Sequence, residues 1–118
     1  REPGAPAQGS GETGPVDRVA LGERAFQVCS GCHAAEKGGR SMAGPNLYGV
    51  VGRKAASLDD FYYSDALSGS GITWNYASLD RFLGNPAGYV EGTSMVAGAV
   101  RDAETRAAIG AYLASQSD

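Results

Sequence analysis

Lysine is almost missing from this chain, which has two, Lys37 and Lys54, against 13 acidic residues and a formal net charge of −3. So thin a supply of cations leaves no basic stripe and excludes a nucleic-acid-binding protein, because such proteins hold phosphates with clustered Lys and Arg. Large apolar side chains are scarce as well: seven Leu, two Ile, eight Val and three Phe are spread over 118 residues, among 18 glycines. No apolar run approaches the roughly 20 residues that a membrane-spanning helix needs, so such a helix is excluded. No stretch alternates apolar and polar residues in the manner of a strand, and no segment repeats. Histidine occurs once, and cysteine and methionine twice each.

A chain so poor in bulky core residues borders on disorder unless its net charge is small and other apolar surface is present. Both conditions hold, since six Tyr and one Trp accompany a charge of only −3. The expectation is therefore a single domain whose centre is filled by something other than side chains. Residues 1–15, REPGAPAQGSGETGP, read as a flexible tail or linker spanning on the order of 20 Å as a random coil. The domain is expected over residues 16–118. The first residue is Arg1, with neither Met nor a secretory leader ahead of it, and the expectation is a processed mature form or an excised domain.

From Asp17 the texture becomes helical. Val19, Gly22, Phe26 and Cys29 recur at spacings of three and four, with Asp17 placed to cap. Residues 38–60 are Gly-rich loop and turn. NYASLDRFLGNP puts Leu79, Phe82 and Leu83 on one helical face and stops at Asn85-Pro86, since the residue before proline avoids the α region. RDAETRAAIGAYLASQ has Asp102 as a cap and Ile109, Tyr112 and Leu113 on one stripe. The fold class is all-α, three to five helices joined by long Gly-rich loops, and loops of that length in a small domain usually wrap something.

What they wrap is indicated by FQVCSGCHAAEKGG. Cys29, Cys32 and His33, all of the chain's cysteine and histidine, fall within five residues as CxxCH. Two thiols three positions apart on a helix end face the same way and add to the two vinyl groups of a haem, while the adjacent imidazole reaches the iron. A structural zinc site would need a fourth ligand. A thioredoxin-like pair would follow a strand in a βαβ unit, which is absent here. A disulfide between the two cysteines would leave His33 incidental. Covalently bound haem c is the reading that also explains the deficient core.

A haem held by His33 leaves one iron position to Met42, Met95, a lysine, water or nothing. That choice separates electron transfer from gas binding or peroxide chemistry. Nine residues of extended chain reach about 30 Å, so distance alone does not exclude Met42. Met42 precedes Gly44-Pro45, whereas Met95 sits in YVEGTSMVAG, where Gly92 and Gly98 allow tight turns against a flat cofactor. Either methionine could instead be a core gap-filler.

Residues 17–115 resemble the class I cytochromes c of the mitochondrial and alphaproteobacterial type. The matching blocks are CSGCH, GPNLYGVVGR, FYYSDAL, GITW, FLGNPAGYVEGTSM and IGAYL, in family order and near family spacing. The resemblance implies the class I cytochrome c fold wrapped around one haem c, with His33 and Met95 as iron ligands. It implies that the Pro45 carbonyl accepts the His33 Nδ1 hydrogen, orienting the ring. Arg53, Tyr63 and Trp74 match positions that hydrogen-bond a buried propionate, and Ser64 and Thr93 match others nearby; a buried carboxylate needs such partners. Gly22 and Phe26 match the crossing of the first and last helices against Tyr112 and Leu113. The implied role is electron carriage, not enzymology, with a positive potential. A cytochrome bc1-type quinol-oxidising complex would be the donor, and a terminal oxidase or photosynthetic reaction centre the acceptor. The implied setting is periplasmic, as a monomer, with an anchor upstream of residue 1 as a further expectation. The rival roles are a haem enzyme or sensor with a labile sixth ligand, and an electron-entry module of a larger oxidoreductase.

Four departures from the family pattern stand out. Phe82 and Leu67 replace a Tyr and an Asn found in many relatives, which predicts a drier pocket. MVAGAV is about one residue shorter and lacks an aromatic. Ala87, Gly88 and Ser94 stand where mitochondrial-type proteins present lysines, which predicts a weakly charged docking face, with Arg40, Arg53, Lys37 and Lys54 the nearest substitutes.

Overall fold

A computed structural model describes residues 15–95 and 98–118. All but the last residue of the expected 1–15 tail lies outside the described residues, as do Val96 and Ala97 of the loop after Met95. The order of elements is α1 (Pro15–Ala25), a 3-10 turn (Phe26–Val28), α2 (Asp65–Ser68), α3 (Tyr76–Gly84), α4 (Pro86–Tyr89) and α5 (Ala103–Ser115). Strand structure among these residues amounts to one isolated antiparallel bridge, Lys54 with Thr73.

Local chemistry sets the helix ends. α1 starts at Pro15, two residues before the expected cap, because a proline with φ preset suits the first helical position; Asp17 instead lies in the first turn, where the helix dipole favours an anion. α3 opens with a reciprocal capping box in which Asn75 Oδ1 accepts from Ser78 N and Ser78 Oγ accepts from Asn75 N, both at 2.8 Å. Asn85 ends α3 and caps α4 by accepting from Gly88 N at 3.1 Å, with Pro86 as the first residue of the new helix. The proline expected to stop one helix thus also starts the next. Asp102 caps α5, accepting from Thr105 N at 2.8 Å and Thr105 Oγ1 at 2.7 Å. These two bonds hold its carboxyl below its ordinary value. α2 and α4, of four residues each, are too short to leave a periodic signal in the sequence.

The expected crossing of α1 and α5 is present. Gly22 lies against the Ala108 backbone, and a Cβ there would also stand 2.8 Å from Tyr112 Cβ, so the helices approach only because that position has no side chain. Phe26 and Tyr112 pack beside it with ring centroids 5.4 Å apart. Between the helices the chain is braced by loop contacts. Trp74 N donates to Arg53 O at 2.9 Å and Ala55 N to Ile72 O at 2.8 Å, which sets Arg53 and Trp74 on adjoining segments.

The buried side chains form one cluster, but it surrounds a gap. Phe26, Leu79, Phe82, Leu83, Ile109 and Leu113 all line a cavity of about 420 Å³. Protein interiors are ordinarily packed without voids of this size, so the fold has the missing centre expected from its composition.

Candidate functional site

The CxxCH segment enters the cavity on a series of tight turns, not on a helix end. α1 gives way to the 3-10 turn, after which Cys32 N and His33 N both donate to Cys29 O, at 3.0 and 2.9 Å. Tightening the helix in this way brings both thiols and the imidazole to one wall, and all three line the cavity. No disulfide joins the two cysteines, of which Cys29 is half-buried and Cys32 exposed. Burial, and secondarily the neighbouring Cys32, push the Cys29 thiol above its ordinary value of 9.0.

His33 is fixed by backbone on two sides. Its Nδ1 lies 2.8 Å from Pro45 O, and since a carbonyl only accepts, Nδ1 carries the hydrogen of this bond, which leaves Nε2 as the nitrogen free to meet a ligand. Gly44 lies against the ring: a Cβ there would stand 2.6 Å from Nδ1 and 2.7 Å from Nε2. Gly44 N in turn donates to Cys32 O at 2.8 Å, tying this support back to the motif.

Of the two methionines, Met95 lines the cavity, whereas Met42 is 50% exposed and is not among its lining residues. Met95 N donates to Thr93 Oγ1 at 3.3 Å. Gly98, at φ +100°, brings the returning chain close enough that a Cβ would lie 3.3 Å from Met95 Cε.

The polar side chains named from the sequence are gathered on the same cavity: Arg53, Tyr63, Ser64, Trp74 and Thr93. Tyr63 Oη accepts from Leu58 N at 3.3 Å, and Ser64 Oγ accepts from Leu67 N at 3.2 Å. Thr93 Oγ1 accepts from Met95 N, as above. Their own hydroxyl hydrogens go to no described residue. The buried Trp74 Nε1–H likewise has no acceptor among the described residues. Arg53 donates Nη1 to Tyr48 O at 3.0 Å and Nη2 to Asn46 O at 2.9 Å, so backbone carbonyls hold its guanidinium in place. Burial draws this group down from its ordinary value, against the opposing pull of Tyr63 and Asp60. Among the described residues no Asp or Glu lines the cavity. Trp74 and Thr93 are buried and Arg53, Tyr63 and Ser64 half-buried; a buried donor left without an acceptor costs about 1–3 kcal/mol, so this cluster suits an acceptor from outside the chain, and the Arg53 guanidinium suits an anionic one.

Phe82 and Leu67 both line the cavity, which places the two departures from the family pattern against the space they were expected to dry. Several contributors were not foreseen. Val28, beside Cys29, is 80% exposed while also lining the cavity, and so forms part of its rim. Ala56 lines the cavity at φ +60°, an uncommon conformation for a residue with a side chain. Asp60 clasps two loops together, accepting from Ser41 N at 3.0 Å and Ser41 Oγ at 2.7 Å. For Gly44, the Gly-Pro pair two residues beyond Met42 was a usable signal. For Val28 and Asp60 nothing local was.

An apolar cavity with two thiols and an imidazole on one wall, a thioether on the same cavity, and a set of uncommitted hydrogen-bond donors fits a covalently bound haem with its propionates. These features define a helical haem c domain. A Cytochrome c family profile matches residues 19–117. The chain is 42% identical over 95 residues to cytochrome c2 of Rhodomicrobium vannielii, covering 80% of this chain and 76% of that protein. It is 44% identical over 102 residues to a cytochrome c homolog of Bradyrhizobium diazoefficiens, covering 85% of this chain but only 55% of that longer relative. Its fold matches cytochrome cH from Methylobacterium extorquens with a TM-score of 0.77 at 42% identity, over 82% of this chain and 97% of that one. The chain belongs to the cytochrome c family. This domain is therefore a haem electron carrier and not an enzyme, and its cofactor is haem c bound through the cysteines.

Proposed function

We propose that the domain carries single electrons from a cytochrome bc1-type quinol-oxidising complex to a terminal oxidase or photosynthetic reaction centre. It would do so in the periplasm as a monomer, with an N-terminal anchor upstream of residue 1 holding it near its partners. The observation carrying this reading is that His33 and Met95 line one cavity and are each fixed by neighbouring contacts, His33 through Pro45 O and Gly44, Met95 through Thr93 Oγ1 and Gly98. Bound there, haem c supplies a one-electron ferric/ferrous couple. Cys29 and Cys32 would hold it covalently. His33 would supply Nε2 to the metal, with Pro45 O orienting the ring and strengthening the imidazole as a donor. Met95 would supply the thioether as the other protein ligand. Tyr63, Ser64, Trp74, Thr93 and Arg53 would donate towards the propionates, and Arg53 would add the positive charge that lowers the cost of burying them.

The rim supports a partner of low charge. Val28, Ala43, Ser94 and Gly98 line the cavity and are exposed, and none carries a charge. An uncharged rim gives little electrostatic steering, so confinement by an anchor would replace long-range attraction in bringing partners together.

Replacing Met95 by Ala tests the assignment. The variant is expected to lose the weak methionine-to-iron absorbance band, to have a lower reduction potential, and to bind carbon monoxide when reduced, which the parent protein does not. An unchanged spectrum and potential would mean that Met95 is not the ligand.

A further inference from the structure

Arg106, near the start of α5, reaches two other parts of the chain. Its Nε meets Asp80 Oδ1 of α3 at 2.7 Å, and its Nη1 donates to Val100 O at 2.9 Å and Arg101 O at 2.7 Å. The guanidinium also lies over Gly84, where a Cβ would come within 3.4 Å of Cζ. Only 17% of the Arg106 side chain is exposed, so solvent screens these contacts less than those of an ordinary surface arginine. The segment so held, residues 98–102, is the return limb of the loop that carries Met95. Among the described residues, its backbone bonds outward are Val100 N to Leu83 O, at 2.7 Å, and Arg106 N to Asp102 O at its far end, at 3.0 Å, while the Val100 and Arg101 carbonyls are satisfied by the Arg106 side chain.

We propose that Arg106 is a positioning residue for Met95: by tying the return limb to α3 and α5, it keeps Gly98 against the methionine and so holds the thioether over the cavity. The inference rests on the reading of Met95 as an iron ligand. Two features carry it. Gly98, two residues before Val100, makes the close approach to Met95 Cε, so the clamp acts on the chain that contacts the ligand. And the planar guanidinium makes charge-assisted bonds in several directions at once, which no other cation on a shorter or non-planar head can do. Without it, two carbonyls lose their donor, the limb between Gly98 and the Asp102 cap is held by Val100 N alone, and states with Met95 withdrawn become more populated. An external ligand then competes for the iron more easily, because its apparent affinity scales with the fraction of protein whose site is open.

The experiment is a titration of ferric holoprotein with imidazole, together with the intensity of the methionine-to-iron band and thermal unfolding, for the parent protein, R106Q, R106K, M95A and D60N. Asp60 clasps a different loop, and D60N serves as a variant loosened away from the clamp. R106Q is expected to bind imidazole about tenfold more tightly, as the loss of charge-assisted bonds implies, and to show a weaker band. R106K should fall between R106Q and the parent, since one ammonium cannot reach Asp80 and both carbonyls together. D60N should keep the parent affinity even where its unfolding temperature falls. Parent-like affinity and band in R106Q, or a shift in D60N as large as that in R106Q, would overturn the proposal. If R106Q does not fold, R106K decides alone: a parent-like titration overturns the proposal and a tighter one supports it. M95A separates the two readings. If it keeps the band, the ligand assignment is wrong. If it loses the band while the Arg106 variants match the parent, only the clamp is wrong.

Discussion

Asp60 shows how much a single exposed side chain does in a domain made largely of loops. Its carboxylate accepts two bonds from Ser41, and Ser41 Oγ in turn accepts from Asn46 N at 3.1 Å, close to the carbonyls that hold Arg53. The Ser41 bonds hold the Asp60 carboxyl below its ordinary value of 3.8. A carboxyl whose folded pKa is depressed contributes stability that is present above its unfolded pKa and is lost as the pH falls through the folded value. D60N is therefore expected to be less stable than the parent at neutral pH, and the gap should narrow as the pH drops below 3.8. Urea unfolding of both proteins across that range checks it, and a pH-independent gap would count against the clasp. Trp74 is the complementary case: its buried N–H meets no acceptor among the described residues, and under the proposed function it would donate to the cofactor.

The critical joint between elements is the crossing of α1 and α5. Glycine within a helix ordinarily costs up to about 1 kcal/mol relative to alanine. Gly22→Ala would recover that propensity, but the added methyl meets the Ala108 backbone, which belongs to a helix and has no free rotamer to yield. Overpacking of this kind costs about 1–3 kcal/mol. The net expectation is destabilisation by roughly 1–2 kcal/mol, visible as a lower urea midpoint at an unchanged slope. A neutral or stabilising result would show that the helices slide apart cheaply. Sequence periodicity identifies α1, α3 and α5, each nine residues or longer, and the matched family blocks anticipate their crossing. It misses α2 and α4 because one turn is too short for an apolar face to repeat, and it starts α1 late because Asp17 resembles a cap while Pro15 belongs to a Gly/Pro-rich stretch.

The molecule as a whole is a shell around its cofactor. Its largest buried side chains face a cavity of about 420 Å³, so removing the haem leaves apolar walls without partners. Apoprotein, prepared by replacing both cysteines with alanine and extracting the haem, is expected to lose fixed tertiary packing. Near-ultraviolet circular dichroism should collapse, and a retained native spectrum would show that the helices pack without the group. The low charge of the rim belongs to the same scale. With few cations to screen, electron-transfer rates to a redox partner should change little with ionic strength.

Three things could be read from the sequence alone: the thioether motif, because its chemistry lies within five consecutive residues; the helices with repeating apolar faces; and, through ordered family blocks, a set of expected site residues, which the fold gathers on one cavity. The tertiary structure decided what joins distant segments. Ser41 and Asp60 are 19 residues apart, and Arg106 and Asp80 are 26 apart. Neither pair lies on a shared helix or strand, where a repeat of 3.6 or 2 would have linked the partners. The physical reason is that a single chain displays its local periodicities directly, whereas a contact across loops exists only after the chain has closed around its centre.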